Sequence, residues 1–136
     1  MNQKINSEPL KRTFYAVIPA RKGSKRLKNK NYLKLRNQKS LVELAVESIP
    51  QNFDFSKVFL SSDDLEGREI STKYGINFHL RSDFASSSSA TANDVLLEII
   101  NSDGMKAMKS TDVIVYLQPT SPRRSENHVR EAITIF

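Results

Sequence analysis

A dense basic segment is the part of this sequence whose residue types most clearly suggest chemistry. Six of the ten residues from Arg21 to Lys30 are Lys or Arg, and they surround Gly23 and Ser24. Backbone N–H groups, a hydroxyl, guanidinium groups and ammonium groups together suit a polyphosphate. The segment matches neither the GxxxxGKS/T pattern of P-loop proteins nor the GxGxxG pattern of dinucleotide-binding proteins. On charge alone, a solvated basic loop or a nucleic-acid patch explains it about equally well.

Carboxylates and histidines are weaker candidates. Asp63 and Asp64 follow a predicted strand and could approach a metal ion, but the spacing of Asp63 and Glu66 favours a helix N-cap. His79 lies in an apolar run, which favours a packed residue, and no partner for His128 is evident. The sequence contains no cysteine, which excludes disulfides and thiolate chemistry. We therefore assign no metal ligand.

Alternating strands and helices must position these residues. Apolar β-prone runs predict strands over residues 13–19, 57–60, 76–80 and 112–117. Helical periodicity predicts helices over residues 40–49, 64–74, 91–101 and 126–136. The spacings of Ser40 with Glu43 and of Thr91 with Asp94 are those of capping boxes, and Gly75 is the usual residue for a left-handed cap at the end of the second helix. This order predicts right-handed βαβ units and an α/β fold, a three-layer Rossmann-like open sheet that is mostly parallel.

The unusual polar stretches fall at one edge of this predicted sheet. Ligands of open α/β sheets bind at the carboxyl ends of the strands, which here are the loops 20–32, 61–63, 81–90 and 118–125. Those loops hold the basic segment, the acidic pair, an arginine followed by a serine run, and a Gln-Pro-Thr-Ser-Pro turn. Their convergence predicts a small-molecule site.

Composition and charge narrow the class of protein. A length of 136 residues predicts one domain. No apolar run approaches the ~18 residues of a membrane span, and the polar start does not resemble a signal peptide, so we expect a cytoplasmic protein with no membrane partner.

The charge of the chain is unevenly distributed. Residues 1–40 hold twelve Lys and Arg against one acidic residue, whereas residues 41–136 hold nine Lys and Arg against fourteen acidic residues, which predicts an anionic partner. The basic segment lacks interleaved aromatics and a helix, which argues against nucleic acid. We expect residues 1–12 to be a disordered basic tail and residues 13–136 to be the α/β domain.

Four segments resemble a known family. The sequence AVIPARKGSKRLKNKN at 16–31 and LQPTSPRR at 117–124 resemble specific blocks of the acylneuraminate cytidylyltransferases, the CMP-sialic acid synthetases. SSDD at 61–64 and the segment around Arg81 are weaker matches in the same order. The resemblance covers residues 14–136 and only the N-terminal part of the family. It implies a nucleotidyltransferase-like fold, and an enzyme that transfers CMP from CTP to a nine-carbon acidic keto-sugar with release of pyrophosphate. It also implies assistance by Mg²⁺ and, for the full-length protein, a homodimer.

The same resemblance carries over a set of site residues. It implies that Arg21 and Lys30 are the catalytic candidates. The substrate-binding candidates, which would contact CTP or the sugar, are Arg21, Ser24, Lys25, Lys30, Asn31, Arg81, Ala90, Ala92, Gln118 and Thr120.

The chain departs from the family in sequence and in length. Ser82, the serines at 86–89 and Arg123 stand where family members usually have a proline, an aspartate and an apolar residue. Family catalytic domains are well over half as long again, and their later part carries the dimerisation segment and the magnesium-binding aspartates. We therefore expect a truncated chain that is inactive alone, whose last helix leaves Val129, Ile133 and Phe136 with little to pack on.

Other functions stay open at this point. A related keto-sugar such as pseudaminic, legionaminic or keto-deoxy-octulosonic acid is the nearest alternative substrate. A non-catalytic nucleotide-binding remnant, or a nucleic-acid-binding module that uses the basic N-terminal region, belongs to another class of protein.

Overall fold

The computed structural model describes residues 11–23 and 27–136 of the chain. The strands are β1 (Phe14–Pro19), β2 (Val58–Ser62), β3 (Asn77–Leu80) and β4 (Val113–Tyr116). The helices are α1 (Leu41–Glu47), α2 (Leu65–Tyr74), α3 (Asp83–Ser86), α4 (Ala92–Ile100) and α5 (Glu126–Ile135), with 3₁₀ turns at Phe55–Lys57 and Asp103–Met105. All four predicted strands and all four predicted helices are present. The short helix α3 and the two 3₁₀ turns were not predicted.

The sheet has the strand order β3-β2-β1-β4, and every pairing is parallel. Ala16 in the central strand β1 lies in register with Val58 on one side and Val115 on the other. The chain thus runs outward from β1 to β3 and then crosses back to place β4 beside β1. In open α/β sheets such a reversal marks the crevice where ligands bind.

Two apolar clusters cover the two faces of the sheet. Side chains alternate along β1, so Ala16 and Ile18 pack in the cluster that includes residues of α1, α2 and α5, whereas Tyr15 and Val17 pack with Ile99 of α4. This arrangement confirms the predicted three-layer α/β fold. None of the described helices combines the length and apolar character needed to cross a bilayer.

The helix caps agree with the predicted ones except at the start of α2. The capping boxes of Ser40 with Glu43 and of Thr91 with Asp94 are both present. Gly75 ends α2 at a φ of 67°, in the left-handed region that favours glycine.

The N-cap predicted at Asp63 is wrong by one residue. Asp64 caps α2, and its carboxylate accepts a hydrogen bond from the backbone N–H of Glu66 at 3.0 Å. Asp63 instead accepts from the backbone N–H of Lys22 at 2.8 Å. Asp64 therefore starts the helix, and Asp63 holds the basic segment against the end of β2.

Helix α5 packs better than its sequence suggested. Val129 is buried in the cluster on the α1 side of the sheet, and Ile133 packs against that cluster. The expectation that these two residues have little to pack on is wrong, because the sheet face beside α1 accommodates them. Phe136 is exposed, and its carbonyl oxygen accepts a hydrogen bond from Arg12 Nη1 at 3.0 Å.

A buried carboxylate joins α1, α2 and the segment before α1. Glu43 is 1% exposed and lies 2.6 Å from Lys34 Nζ and 2.8 Å from Lys73 Nζ. It also accepts from the backbone N–H of Ser40 at 2.9 Å. Burial alone would raise the pKa of Glu43, but the hydrogen bonds from Lys34, Lys73 and Ser40 outweigh it and lower the pKa to about 2.

We expect this carboxylate to make folding stability sensitive to acid. Because the pKa of Glu43 falls from its ordinary 4.5 to about 2 on folding, its contribution is complete above pH 4.5 and is lost as the pH falls towards 2. That contribution is on the order of 3 kcal/mol. Urea unfolding of Glu43→Gln should show a deficit at pH 7 that shrinks steadily below pH 4.5, whereas the exposed control Glu47→Gln should show little deficit at either pH. A deficit of Glu43→Gln that does not change with pH would contradict this assignment.

Candidate functional site

A cleft of about 540 Å³ opens at the carboxyl ends of β1, β3 and β4, where it meets the amino end of α4. It lies at the point where the strand order reverses between β1 and β4. Three of the four predicted rim loops line it. The fourth, at the end of β2, supports the cleft from behind through Ser61 and Asp63.

Eight of the ten predicted site residues line this one cleft. They are Arg21, Lys30, Asn31, Arg81, Ala90, Ala92, Gln118 and Thr120. The other two, Ser24 and Lys25, lie outside the described residues, as does almost all of the predicted basic tail.

The cleft also contains residues that the sequence argument missed. Pro19 and Tyr116 lie two positions before Arg21 and Gln118, and all four line the cleft. The two-residue period of a strand could have identified Pro19 and Tyr116. Val95 lies three residues after the predicted Ala92 on α4, so helical spacing could have identified it in the same way.

Tyr32 closes the basic segment onto the sheet. Its buried hydroxyl lies 2.9 Å from the carbonyl oxygen of Ala20, where the segment begins, and 2.6 Å from Ser62 Oγ. Ser62 Oγ donates to the same carbonyl at 2.6 Å. Burial raises the pKa of the Tyr32 hydroxyl, so it keeps its proton for this contact.

Asn31 fastens the segment a second time and leaves an acceptor in the cleft wall. Its Nδ2 donates to the carbonyl oxygen of Arg21 at 3.0 Å, which fixes the orientation of the side-chain amide. Its Oδ1 is then buried without a hydrogen-bond partner among the described residues. Asn31 itself lines the cleft, so this unpaired amide acceptor belongs to a residue of the cleft wall.

Three cations among the described residues line the cleft. Arg21 and Lys30 are partly exposed, whereas Arg81 is only 9% exposed. The Arg81 guanidinium donates from Nε to Ser61 Oγ at 3.1 Å and from Nη1 to the carbonyl oxygen of Ala85 at 3.4 Å. Burial lowers the pKa of Arg81, but arginine stays charged at neutral pH. No described residue that lines the cleft is acidic, so the site favours an anion.

The last sequence block turns only one of its two arginines inward. Arg124 Nη2 donates to the carbonyl oxygen of Gln118 at 2.8 Å, whereas Arg123 is exposed. Arg124 thus holds the backbone at the residue that enters the cleft after β4.

The remaining polar candidates have structural contacts. Across residues 11–23 and 27–136, no group of three or more His, Asp and Glu side chains could hold a metal ion. His128 Nδ1 accepts from the backbone N–H of Ser125 at 3.0 Å, at the start of α5. His79 is partly buried against Ser61 and Glu98, in agreement with the prediction of a packed residue.

The fold, with a cationic cleft at its strand ends, is that of an α/β nucleotidyltransferase. Two solved structures resemble it: a cytidylyltransferase from Leptospira borgpetersenii, with a TM-score of 0.67 at 20% identity, and a CMP:2-keto-3-deoxy-manno-octonic acid synthetase complexed with CTP, with a TM-score of 0.66 at 19% identity. The first match covers 93% of this chain and 49% of that one, and the second covers 90% and 46%.

Sequence comparison identifies the family. The profile described as cytidylyltransferase matches residues 15–134, and the chain therefore belongs to the cytidylyltransferase family. It is 32% identical over 121 residues to the N-acylneuraminate cytidylyltransferase of Escherichia coli, and this alignment covers 89% of this chain and 27% of that protein. It is 32% identical over 126 residues to the pseudaminic acid cytidylyltransferase of Campylobacter jejuni, and this second alignment covers 88% of this chain and 51% of that protein. The chain thus spans about a quarter to a half of the length of these relatives, and the resemblance found in its motifs is confirmed.

We expect the Tyr32 contact to depend on a glycine in α2. A Cβ atom on Gly67 would lie 2.9 Å from Phe78 Cε2, 3.0 Å from the Tyr32 hydroxyl and 3.2 Å from Ser62 Cβ. Gly67→Ala should therefore lower the free energy of unfolding by roughly 1–3 kcal/mol, although alanine favours helix by itself. Urea unfolding measures the change, with Gly23→Ala as a control because a Cβ there meets no atom within 4 Å. Equal stability of the Gly67→Ala and Gly23→Ala variants would contradict the close approach.

Proposed function

We propose that the cleft binds CTP, and that this chain is the nucleotide-binding part of an enzyme that transfers CMP to a nine-carbon acidic keto-sugar of the sialic acid type. The observation that carries the proposal is a cleft at the strand-order reversal that is lined, among the described residues, by three cations and no acidic residue. Membership of the cytidylyltransferase family supports the choice of nucleotide. Because the chain spans only part of its relatives, the transfer reaction is proposed for the whole enzyme.

Each group of cleft residues suits one part of the reactants. Arg21 and Lys30, with Lys25 from the same basic segment, would neutralise the triphosphate, and Ser24 would donate a hydrogen bond to it. Ala90 and Ala92 carry small side chains that permit close approach of the nucleotide at the start of α4. Gln118 and Thr120 follow β4 and would face the sugar.

The chemistry that this arrangement would serve is in-line phosphoryl transfer. The anomeric hydroxyl of the sugar would attack the α-phosphate of CTP, the new sugar–phosphate bond would form, and pyrophosphate would leave. Positioning and neutralisation of charge supply most of the catalysis in such reactions. Arg21 and Lys30 would stabilise the negative charge that accumulates on the phosphate oxygens.

The acidic keto-sugar is proposed from the names of the relatives. Those names specify an acylneuraminate and pseudaminic acid, and a further relative from Legionella pneumophila, 33% identical over 122 residues, is named CMP-N,N'-diacetyllegionaminic acid synthase. A panel of these sugars would identify the substrate. We also propose a homodimer of the full-length enzyme, from the resemblance, and a cytoplasmic location with no role for nucleic acid, from the composition of the sequence.

The described carboxylates do not fit a magnesium site. Asp63 and Asp64 already accept hydrogen bonds from the backbone N–H groups of Lys22 and Glu66, and Lys22 Nζ lies 3.7 Å from Asp64. Mg²⁺ in phosphoryl-transfer enzymes takes many of its ligands from substrate phosphates. If Mg²⁺ assists, we propose that the phosphate oxygens of CTP supply most of its ligands on this side of the active site.

A thermal-shift panel tests the choice of nucleotide. CTP at about 100 times its dissociation constant should stabilise the fold by about 2.7 kcal/mol, whereas UTP, ATP and GTP at the same concentration should stabilise it less. A short single-stranded oligonucleotide is included because it would report the nucleic-acid alternative. A shift with the oligonucleotide alone, or equal shifts with all four nucleotides, would contradict the proposal.

The basic segment should contribute to CTP binding residue by residue and not as a diffuse charge. We expect Arg21→Ala and Lys30→Ala each to raise the Kd for CTP by about 10- to 100-fold, since each loses a charge-assisted contact. Lys11→Ala is the matched control, because Lys11 is an exposed cation that precedes β1 and does not line the cleft. Titration calorimetry measures all three, and equal losses at the three positions would overturn the site.

A further inference from the structure

A row of polar side chains lies behind Arg81, on the side away from the cleft. Arg81 Nε contacts Ser61 Oγ at 3.1 Å, Ser61 Oγ contacts His79 Nδ1 at 2.9 Å, and His79 Nε2 lies 3.4 Å from Glu98 Oε1. Three of the four residues, Ser61, His79 and Glu98, do not line the cleft. Arg81 therefore lies between this row and the proposed nucleotide site.

The chemistry of the donors fixes the direction of the row. A guanidinium can only donate, so Ser61 Oγ must accept from Arg81 Nε. The Ser61 hydroxyl keeps one lone pair and one proton, so the direction of its bond to His79 Nδ1 depends on the tautomer of His79. Glu98 selects that tautomer, because an ionised carboxylate can only accept: a neutral His79 carries its proton on Nε2, which faces Glu98 Oε1, and its unprotonated Nδ1 accepts from the Ser61 hydroxyl.

Glu98 anchors the far end of the row. Its carboxylate accepts hydrogen bonds from the backbone N–H of Ser82 at 2.9 Å and from the Ser82 hydroxyl. Ser82 directly follows Arg81, so α4 holds both His79 and the backbone beside the arginine. The charged groups that face His79 are Glu98 on α4 and Arg81 at the end of its own strand. Burial lowers the pKa of His79, Glu98 opposes this effect and Arg81 adds to it, which agrees with a neutral ring at pH 7.

We propose that His79 is a positioning residue for Arg81, and that it acts through the hydroxyl of Ser61. The inference rests on the proposed function, because it takes Arg81 to contact the nucleotide. Arginine has many rotamers, and fixing one of them before the ligand arrives reduces the entropy that binding must overcome. When His79 Nδ1 accepts the proton of the Ser61 hydroxyl, the rotation of that hydroxyl is fixed. A lone pair of Ser61 Oγ then stays directed at Arg81 Nε.

Calorimetric titration with CTP at pH 7.5 tests the proposal through two substitutions of the same residue. His79→Leu removes the acceptor and should raise the Kd by about 5-fold, the effect of one neutral hydrogen bond. His79→Asn places an amide oxygen within reach of Ser61 and should bind CTP nearly as the unaltered chain does. His128→Asn is the control, since His128 lies at the start of α5 and does not line the cleft.

A double-mutant cycle separates positioning from a general effect on packing. In an Arg81→Ala background, His79→Leu should cause no further loss of CTP affinity, because the group that it positions is gone. Ser61→Ala, a smaller change at a buried site, should behave as His79→Leu does in both backgrounds.

The outcomes distinguish this inference from the proposed function. Equal losses from His79→Leu in the two backgrounds, or a His79→Asn variant as weak as His79→Leu, would overturn the positioning role and leave CTP binding intact. Failure of the unaltered chain to bind CTP would overturn the proposed function and this inference with it.

Discussion

The contact between the Tyr32 hydroxyl and the carbonyl oxygen of Ala20 is the constraint on which the cleft depends. These two residues are twelve positions apart and bracket the basic segment, yet their polar atoms lie 2.9 Å from each other. Closing such a loop costs conformational entropy, and holding many cations in it adds repulsion. The contact is buried and includes Ser62 Oγ, so opening it would strand polar atoms away from water. Binding of a polyanion would relieve the repulsion that the closed loop retains.

Much of the fold could be predicted because it depends on local signals. The strand at Phe14–Pro19 is a short apolar run that is covered on both faces of the sheet. Helices α1 and α4 begin at capping boxes that are visible in the sequence. Strand ends then place the polar loops on one edge, because parallel strands share a direction. The candidate site could be located for the same reason, and the family motifs identified individual residues within it.

The parts that could not be predicted depend on contacts between distant residues. Local spacing allows either Asp63 or Asp64 to cap α2, and the bond that Asp63 accepts from the distant Lys22 backbone is not visible in that spacing. The packing of Val129 depends on the sheet face beside α1, which no local pattern specifies. His79 could be predicted as a packed residue, but its place between Ser61 and Glu98 depends on the parallel register of β2 with β3 and on where α4 lies.

The buried guanidinium of Arg81 has neutral hydrogen-bond partners, and this environment favours binding of an anion. Burying a charge is costly unless a partner compensates, and buried arginines are usually paired with a carboxylate. Here the hydrogen-bond partners of the guanidinium are neutral, the Ser61 hydroxyl and the Ala85 carbonyl, and the charge of the Asp63 carboxylate acts on it only from beyond ion-pair distance. The folded chain therefore carries an electrostatic cost that an anionic ligand in the cleft would offset. A carboxylate paired directly with Arg81 would stabilise the protein without its ligand and would compete with an anionic ligand for the guanidinium. Hydrogen bonds to neutral groups instead hold the arginine in place and leave its charge available to the ligand.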